Sequence, residues 1–147
     1  VDEMMRTNDQ DIYAIGDVAL CRSQKIAVES VHNAQENASI AAAAIVGHET
    51  PVTITPWFWS DQYDAKLQSV GIVPVLDADV YQVERPGKRD GGVSFWTYKG
   101  NDLLAVEVVN DPATYMEARQ CLDTKRFPDP KQISKISYSP VDSGGGR

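Results

Sequence analysis

The chain has little of what most reactive centres are built from. It holds two cysteines and two histidines in 147 residues. Cys21 and Cys121 stand far apart and make no C-x-x-C, so neither a zinc site nor a dithiol redox centre is expected; a structural disulfide is open but unneeded in a reducing cytoplasm, and both read as plain thiols. His32 has no Cys, Asp or Glu at metal spacing, and His48 reads as a ring at a helix C-terminus. No Gly-x-Gly-x-x-Gly occurs, which removes the pyrophosphate-binding half of a dinucleotide site. Lysine and arginine number 14 against 21 acidic residues, and a net charge of −7 argues against nucleic acid or an anionic membrane as a general partner. No apolar run reaches the roughly 20 residues of a bilayer span, and no signal-peptide pattern opens the chain. What remains, 42% apolar and 24% charged, describes a globular chain able to bury a core, and its unpaired cysteines suit a reducing cytoplasm.

The first informative stretch is Asp11–Ala19, after a polar, turn-rich start. Ile12, Tyr13, Ala14 and Ile15 leave no room for polar alternation, so a short strand covered on both faces is expected. Gly16 lets the backbone turn where a side chain would block a ligand, and Asp17 then stands at the strand's carboxyl end, where open α/β sheets bind ligands. A carboxylate is a pure acceptor, suited to sugar-alcohol hydroxyls. The plainer reading of the same residues is a strand–turn–helix with a solvent-facing aspartate. The alanine-rich segment from Val31, closed by Gly47, predicts a helix whose amino pole would stabilise negative charge near Asp17.

Beyond a linker placed at residues 51–56, the pattern changes to short alternating runs. Trp57 to Tyr63, if extended, puts Trp57, Trp59 and Asp61 on one face and Phe58 and Ser60 on the other. Lys66–Val70, Asp79–Arg85, Gly92–Tyr98 and Leu103–Val109 follow as strands, with a hairpin turn at Lys99–Asp102, and predict a meander-like antiparallel sheet. Lys25, Ile26 and Val28 are candidates for one more short strand. Asn110-Asp111-Pro112 begins a helix by cap-and-proline chemistry, with Tyr115, Met116, Arg119 and Leu122 as its apolar stripe. Cys121 is expected on that helix's apolar side, and residues 139–147 as a flexible tail.

Two motifs together resemble a known family. Ile12–Ala19, with Arg6-Thr7 upstream and Glu29-Ser30-Val31 before Asn33-Ala34, is similar to the second FAD-binding motif of the NADH-linked, glutathione-reductase-like ferredoxin reductases, the group of putidaredoxin, rubredoxin and biphenyl-dioxygenase ferredoxin reductases. Pro56–Gln62 resembles the opening of that family's C-terminal domain, and the similarity runs to about residue 127. The resemblance implies an α+β reductase domain at 57–138, with a four- to five-stranded antiparallel sheet and one or two helices, after a strand–helix remnant of an α/β FAD-binding domain at 1–50. It implies that the chain is the C-terminal third of a larger enzyme and inactive alone.

In the parent, NADH would reduce FAD and the flavin would pass electrons to a [2Fe-2S] ferredoxin. Gly16, Asp17, Val18, Ala19 and Val31 are the implied flavin contacts, with Trp59 at the ring's edge; Glu29 is a further polar candidate. No side chain here needs to act as acid or base, and the His–Glu pair and dithiol of disulfide reductases have no counterpart. Docking an acidic ferredoxin asks for local positive charge, for which Lys25, Lys66, Arg85, Lys88 and Arg89 are candidates. Ser39 stands where several relatives place an arginine, which puts the inherited docking contact in question. The apolar faces of the Ile12 strand and the Val31 helix are expected to make the isolated chain self-associate. The competing class is a non-catalytic α+β module that binds a protein through its aromatic surface.

Overall fold

A computed structural model describes residues 1–23, 26–49, 55–74 and 78–142. The chain divides into two compact units, Val1–Pro56 and Trp57–Arg147. Lys25, most of the expected linker and residues 143–147 lie outside the described residues. Among the described residues no helix is long and apolar enough to cross a membrane.

The first unit is built on helix α1, Val31–Val46. Ser30 caps it by accepting the Asn33 N–H at 3.1 Å, and Gly47 ends it in the left-handed conformation at φ 72°. Ile40 and Ala41 pack with Met5 into a small core that Val1 and Tyr13 flank. The Ile12–Ile15 stretch lacks the cover that its composition calls for, in line with a remnant whose apolar faces were expected to stay open. Its one strand-like pairing among the described residues is the antiparallel bridge Tyr13–Arg6, and Ile12 and Ile15 are both exposed. The cause is topological: a strand is covered on both faces only inside a sheet with layers above and below, and among the described residues no ladder forms beside this one.

The second unit is a five-stranded antiparallel sheet, β1 Trp57–Gln62, β2 Ala65–Gly71, β3 Val80–Pro86, β4 Val93–Lys99 and β5 Asp102–Val109, crossed on one face by helix α2, Pro112–Thr124. The order is β1-β2-β5-β4-β3, so the sheet is not a simple meander. β3, β4 and β5 follow one another, but β5 then pairs with β2. The reason lies in composition. Leu103, Ala105, Val106 and Val108 of β5 are all buried, which demands a strand on each side, whereas β3 is punctuated by Gln82, Glu84 and Pro86 and suits an edge. Val70, Val106 and Trp96 lie side by side across β2, β5 and β4 and form the centre of the core with Val108, Tyr98, Ala118, Cys121 and Ile133.

α2 buries Thr114, Tyr115, Ala118 and Cys121, so the expected stripe is rotated and Met116 is 60% exposed. Small residues three and four apart let the helix lie close to the sheet, and that overrides the pull of a large apolar side chain beside them. Arg119 sits instead with its guanidinium 5.8 Å from the Trp57 ring centre. Burial pushes the Cys121 thiol up to about 11, in keeping with an inert core sulfur. The tail is ordered further than expected: Pro140 is fully buried and its carbonyl accepts from the Cys121 Sγ at 3.7 Å.

The start of α2 gives a pH-dependent prediction. Asp111 is buried and its carboxylate accepts from the Lys88 N–H at 2.9 Å, the Thr114 hydroxyl at 2.8 Å and the Thr114 N–H at 3.3 Å. Burial alone would raise its pKa, but the three donations outweigh it and hold the carboxyl below the usual range. The contribution is therefore present above the unfolded carboxyl's pKa and lost as pH falls through the folded value. Asp111→Ala is expected to cost about 2 kcal/mol by urea unfolding at neutral pH. Its stability should also fall less steeply than the parent's between about pH 5 and pH 3.

Candidate functional site

In the first unit the chain arrives extended at Ile15 (φ −136°, ψ 161°), reverses at Gly16 (φ 72°) and makes one 3-10 turn, Gly16–Val18, closed by the Ala19 N–H donating to the Gly16 carbonyl at 2.9 Å. The positive φ is what requires glycine there, since a Cβ at Gly16 would lie 3.5 Å from the Ala34 Cβ, an ordinary contact. The turn thus rests against the first turns of α1. Its buried N–H is taken by the Asn37 Oδ1 at 3.2 Å.

Five of the sequence-predicted residues sit on this junction. Gly16 and Ala19 are buried and form its floor. Asp17 is exposed, and its carboxylate is given to no hydrogen bond or ion pair among the described residues. Val18 is 83% exposed, and Val31, the first residue of α1, is exposed as well. An uncommitted acceptor, two unsatisfied apolar side chains and a helix amino pole suit a ligand that offers hydroxyls and gains negative charge.

Trp59 belongs to the second unit, on edge strand β1. Its ring is tilted 30° to that of Trp57 with centres 5.3 Å apart, as expected of alternate residues on one face. Trp57 packs on the core, while Trp59 stays 42% exposed on the same face; Phe58 on the opposite face and Tyr63 after the strand are exposed as well. Such an edge offers a flat aromatic surface to a ligand or partner.

The expected basic patch is corrected at its centre. Arg85 is 1% exposed and faces inward. Its Nη1 donates to the carbonyls of Ile133 at 2.7 Å and Lys135 at 3.0 Å, and its Nη2 to those of Tyr138 at 2.9 Å and Ile136 at 3.4 Å. The signal was in the alternation: Tyr81, Val83 and Arg85 share one face of β3. Lys88 pairs with Glu117, which leaves exposed Lys66 and Arg89 as the described candidates from that set. Sequence reasoning also missed Asn37. Two asparagines at i and i+4 inside an alanine-rich helix, where their propensity is poor, were the available sign.

Known proteins match both units. A family model described as reductase C-terminal matches residues 57–139, and one described as pyridine nucleotide-disulphide oxidoreductase matches residues 1–38. Rhodocoxin reductase of Rhodococcus erythropolis is 38% identical over 143 residues, covering 94% of this chain and 33% of that protein. The crystal structure of the ferredoxin reductase for the CYP199A2 system from Rhodopseudomonas palustris superposes with a TM-score of 0.84 at 34% identity, over 99% of this chain and 36% of that one. The covalent putidaredoxin reductase–putidaredoxin complex gives a TM-score of 0.83 at 31% identity, over 98% and 34%. The chain spans about a third of the length of the curated relatives it matches.

Proposed function

This chain belongs to the reductase C-terminal family, and from that premise we propose that it is part of a flavoprotein oxidoreductase carrying electrons from NADH through FAD to a [2Fe-2S] ferredoxin. The carrying observation is the Gly16–Asp17 turn seated on the amino end of α1 with its carboxylate uncommitted. The match of residues 1–38 to the pyridine nucleotide-disulphide oxidoreductase model supports it.

The residues present fit FAD. Asp17 would accept hydrogen bonds from its hydroxyls, Gly16 and Ala19 would let the backbone approach, and Val18 and Val31 would meet apolar surface. The flavin, when bound, takes up a hydride and releases single electrons. The chain's own contribution is placement and field: the amino pole of α1 favours negative charge at the ring. Trp59 would shield a flat face from water. Exposed Lys66 and Arg89 supply positive charge for a ferredoxin, and Arg85 does not. We place the protein in the cytoplasm, where its two free, buried cysteines stay reduced. Exposed Ile12, Ile15, Val18 and Val31 favour self-association of the isolated chain.

The test is the full-length polypeptide. It is expected to purify yellow and to reduce an acceptor with NADH. Asp17→Ala, an exposed substitution, should leave folding unchanged and weaken FAD binding about 10- to 100-fold, the worth of one or two hydrogen bonds to a charged acceptor. Flavin fluorescence titration reads it. Full FAD retention in that variant would sink the assignment of Asp17. A colourless, folded parent would favour the second reading, a protein-binding module, which the exposed Trp59, Phe58 and Tyr63 support.

A further inference from the structure

Asn37 lies two turns into α1, away from the exposed end of the site, and it is buried. Its Oδ1 takes the Gly16 N–H at 3.2 Å. The same amide faces that of Asn33, with Asn33 Nδ2 to Asn37 Oδ1 at 3.5 Å and Asn37 Nδ2 to Asn33 Oδ1 at 3.4 Å. Asn33 Nδ2 also donates to the Val28 carbonyl at 2.7 Å, fixing the loop that enters the helix. Two stacked amides thus tie two separate loops to one face of α1: the turn that presents Asp17, and the approach to Ser30 and Val31.

A polar side chain in a helix interior costs propensity, and a buried one costs desolvation. What offsets this is the Gly16 N–H. That N–H is buried, and a buried N–H without an acceptor costs about 1–3 kcal/mol. We propose that Asn37 is the positioning residue of the flavin contact: by accepting the Gly16 N–H it fixes the left-handed turn and so aims the Asp17 carboxylate. This rests on the reading of Asp17 as an FAD ligand. Asn37 touches no ligand itself and acts through the turn.

The experiment is a double-mutant cycle in the full-length holoprotein, read by FAD affinity, by the flavin's visible spectrum and by hydrogen exchange at the Gly16 amide. Asn37→Leu removes the acceptor. It is expected to speed exchange at Gly16 and weaken FAD binding about tenfold. Asn37→Asp keeps an acceptor for Gly16 but loses the donation to Asn33 Oδ1, so it should slow Gly16 exchange and bind FAD more tightly than Asn37→Leu at equal or lower global stability, an order that a merely structural role would reverse. The Asp17→Ala/Asn37→Leu pair should lose clearly less than the two single losses combined, because the aim of an absent carboxylate has no value and only the rest of the turn is left to misplace. If Asn37→Leu does not fold, Asn37→Ser, polar but too short to reach Gly16, takes its place with the same expectation. Losses that add in the double variant, or parent-like FAD binding in Asn37→Leu alongside loss in Asp17→Ala, overturn the positioning role and leave the FAD reading standing. Parent-like binding in Asp17→Ala overturns that reading, and this proposal with it.

Discussion

Arg85→Met is expected to destabilise the second unit by about 3–5 kcal/mol, the summed cost of several buried carbonyls losing a charged donor. The guanidinium is almost wholly buried, and its acceptors among the described residues are the four carbonyls of Ile133, Lys135, Ile136 and Tyr138, with no carboxylate. A planar fork of donors suits this role, because the carbonyls of an irregular segment cannot pair with one another. That segment in turn buries Ile133 and Pro140, and its Tyr138 hydroxyl accepts the Asp129 N–H at 3.0 Å. Methionine fills the volume but takes the guanidinium donor from the Ile133, Ile136 and Tyr138 carbonyls, while the Lys135 carbonyl keeps the Tyr138 N–H at 3.0 Å. Arg85→Lys keeps the charge with three donors at one point, so it should fall between, about 2 kcal/mol below the parent. Guanidinium chloride unfolding followed by near-ultraviolet dichroism gives the values. Limited proteolysis should cut first between residues 128 and 142 in the methionine variant. A loss under about 1 kcal/mol would mean that water serves those carbonyls instead.

Arg85 also shows what was legible in the chain and what was not. Local signals located the elements: alternation gave the strands of the second unit, alanine content and Gly47 gave α1 and its end, and Asp111 gave the start of α2, whereas the Ser30 cap came only with the structure. Pairing order was not local. That β2 sits beside β5 follows from how much of β5 must be covered, which needs the whole sheet to be weighed at once. Charge misled where length mattered, since an arginine beside Lys88 and Arg89 reads as a solvated turn until its alternation with Val83 is followed inward. The site divides the same way. Gly16, Asp17 and the amino end of α1 are neighbours in sequence and were visible as a turn before a helix. Asn37 reaches Gly16 across 21 positions; its poor helix propensity marked it as unusual, but no local rule names Gly16 as its partner.

Gly71→Ala is expected to destabilise the second unit by about 3 kcal/mol or more. Gly71 ends β2 at φ 83°, and a Cβ there would lie 2.2 Å from the Leu104 carbonyl oxygen and 2.9 Å from the Ala105 Cα. Both are backbone atoms of β5, so no rotamer change relieves the overlap and the two strands must part. Gly91→Ala is the control: its φ is 75° but nothing lies within 4 Å of the added Cβ, so only the left-handed strain of about 1–2 kcal/mol remains. The difference between the two variants isolates the steric part of the effect. It also reaches the aromatic edge. β2 holds β1 through Val70 opposite Trp57 and Gln68 opposite Trp59, so lifting β2 moves both tryptophans. The fluorescence of Trp57 and Trp59 should therefore shift toward a wetter environment in Gly71→Ala before global unfolding, and not in Gly91→Ala. Equal stability in the two variants would show that β2 and β5 do not approach this closely at Gly71, and the support for Trp59 would then have to come from β1 alone.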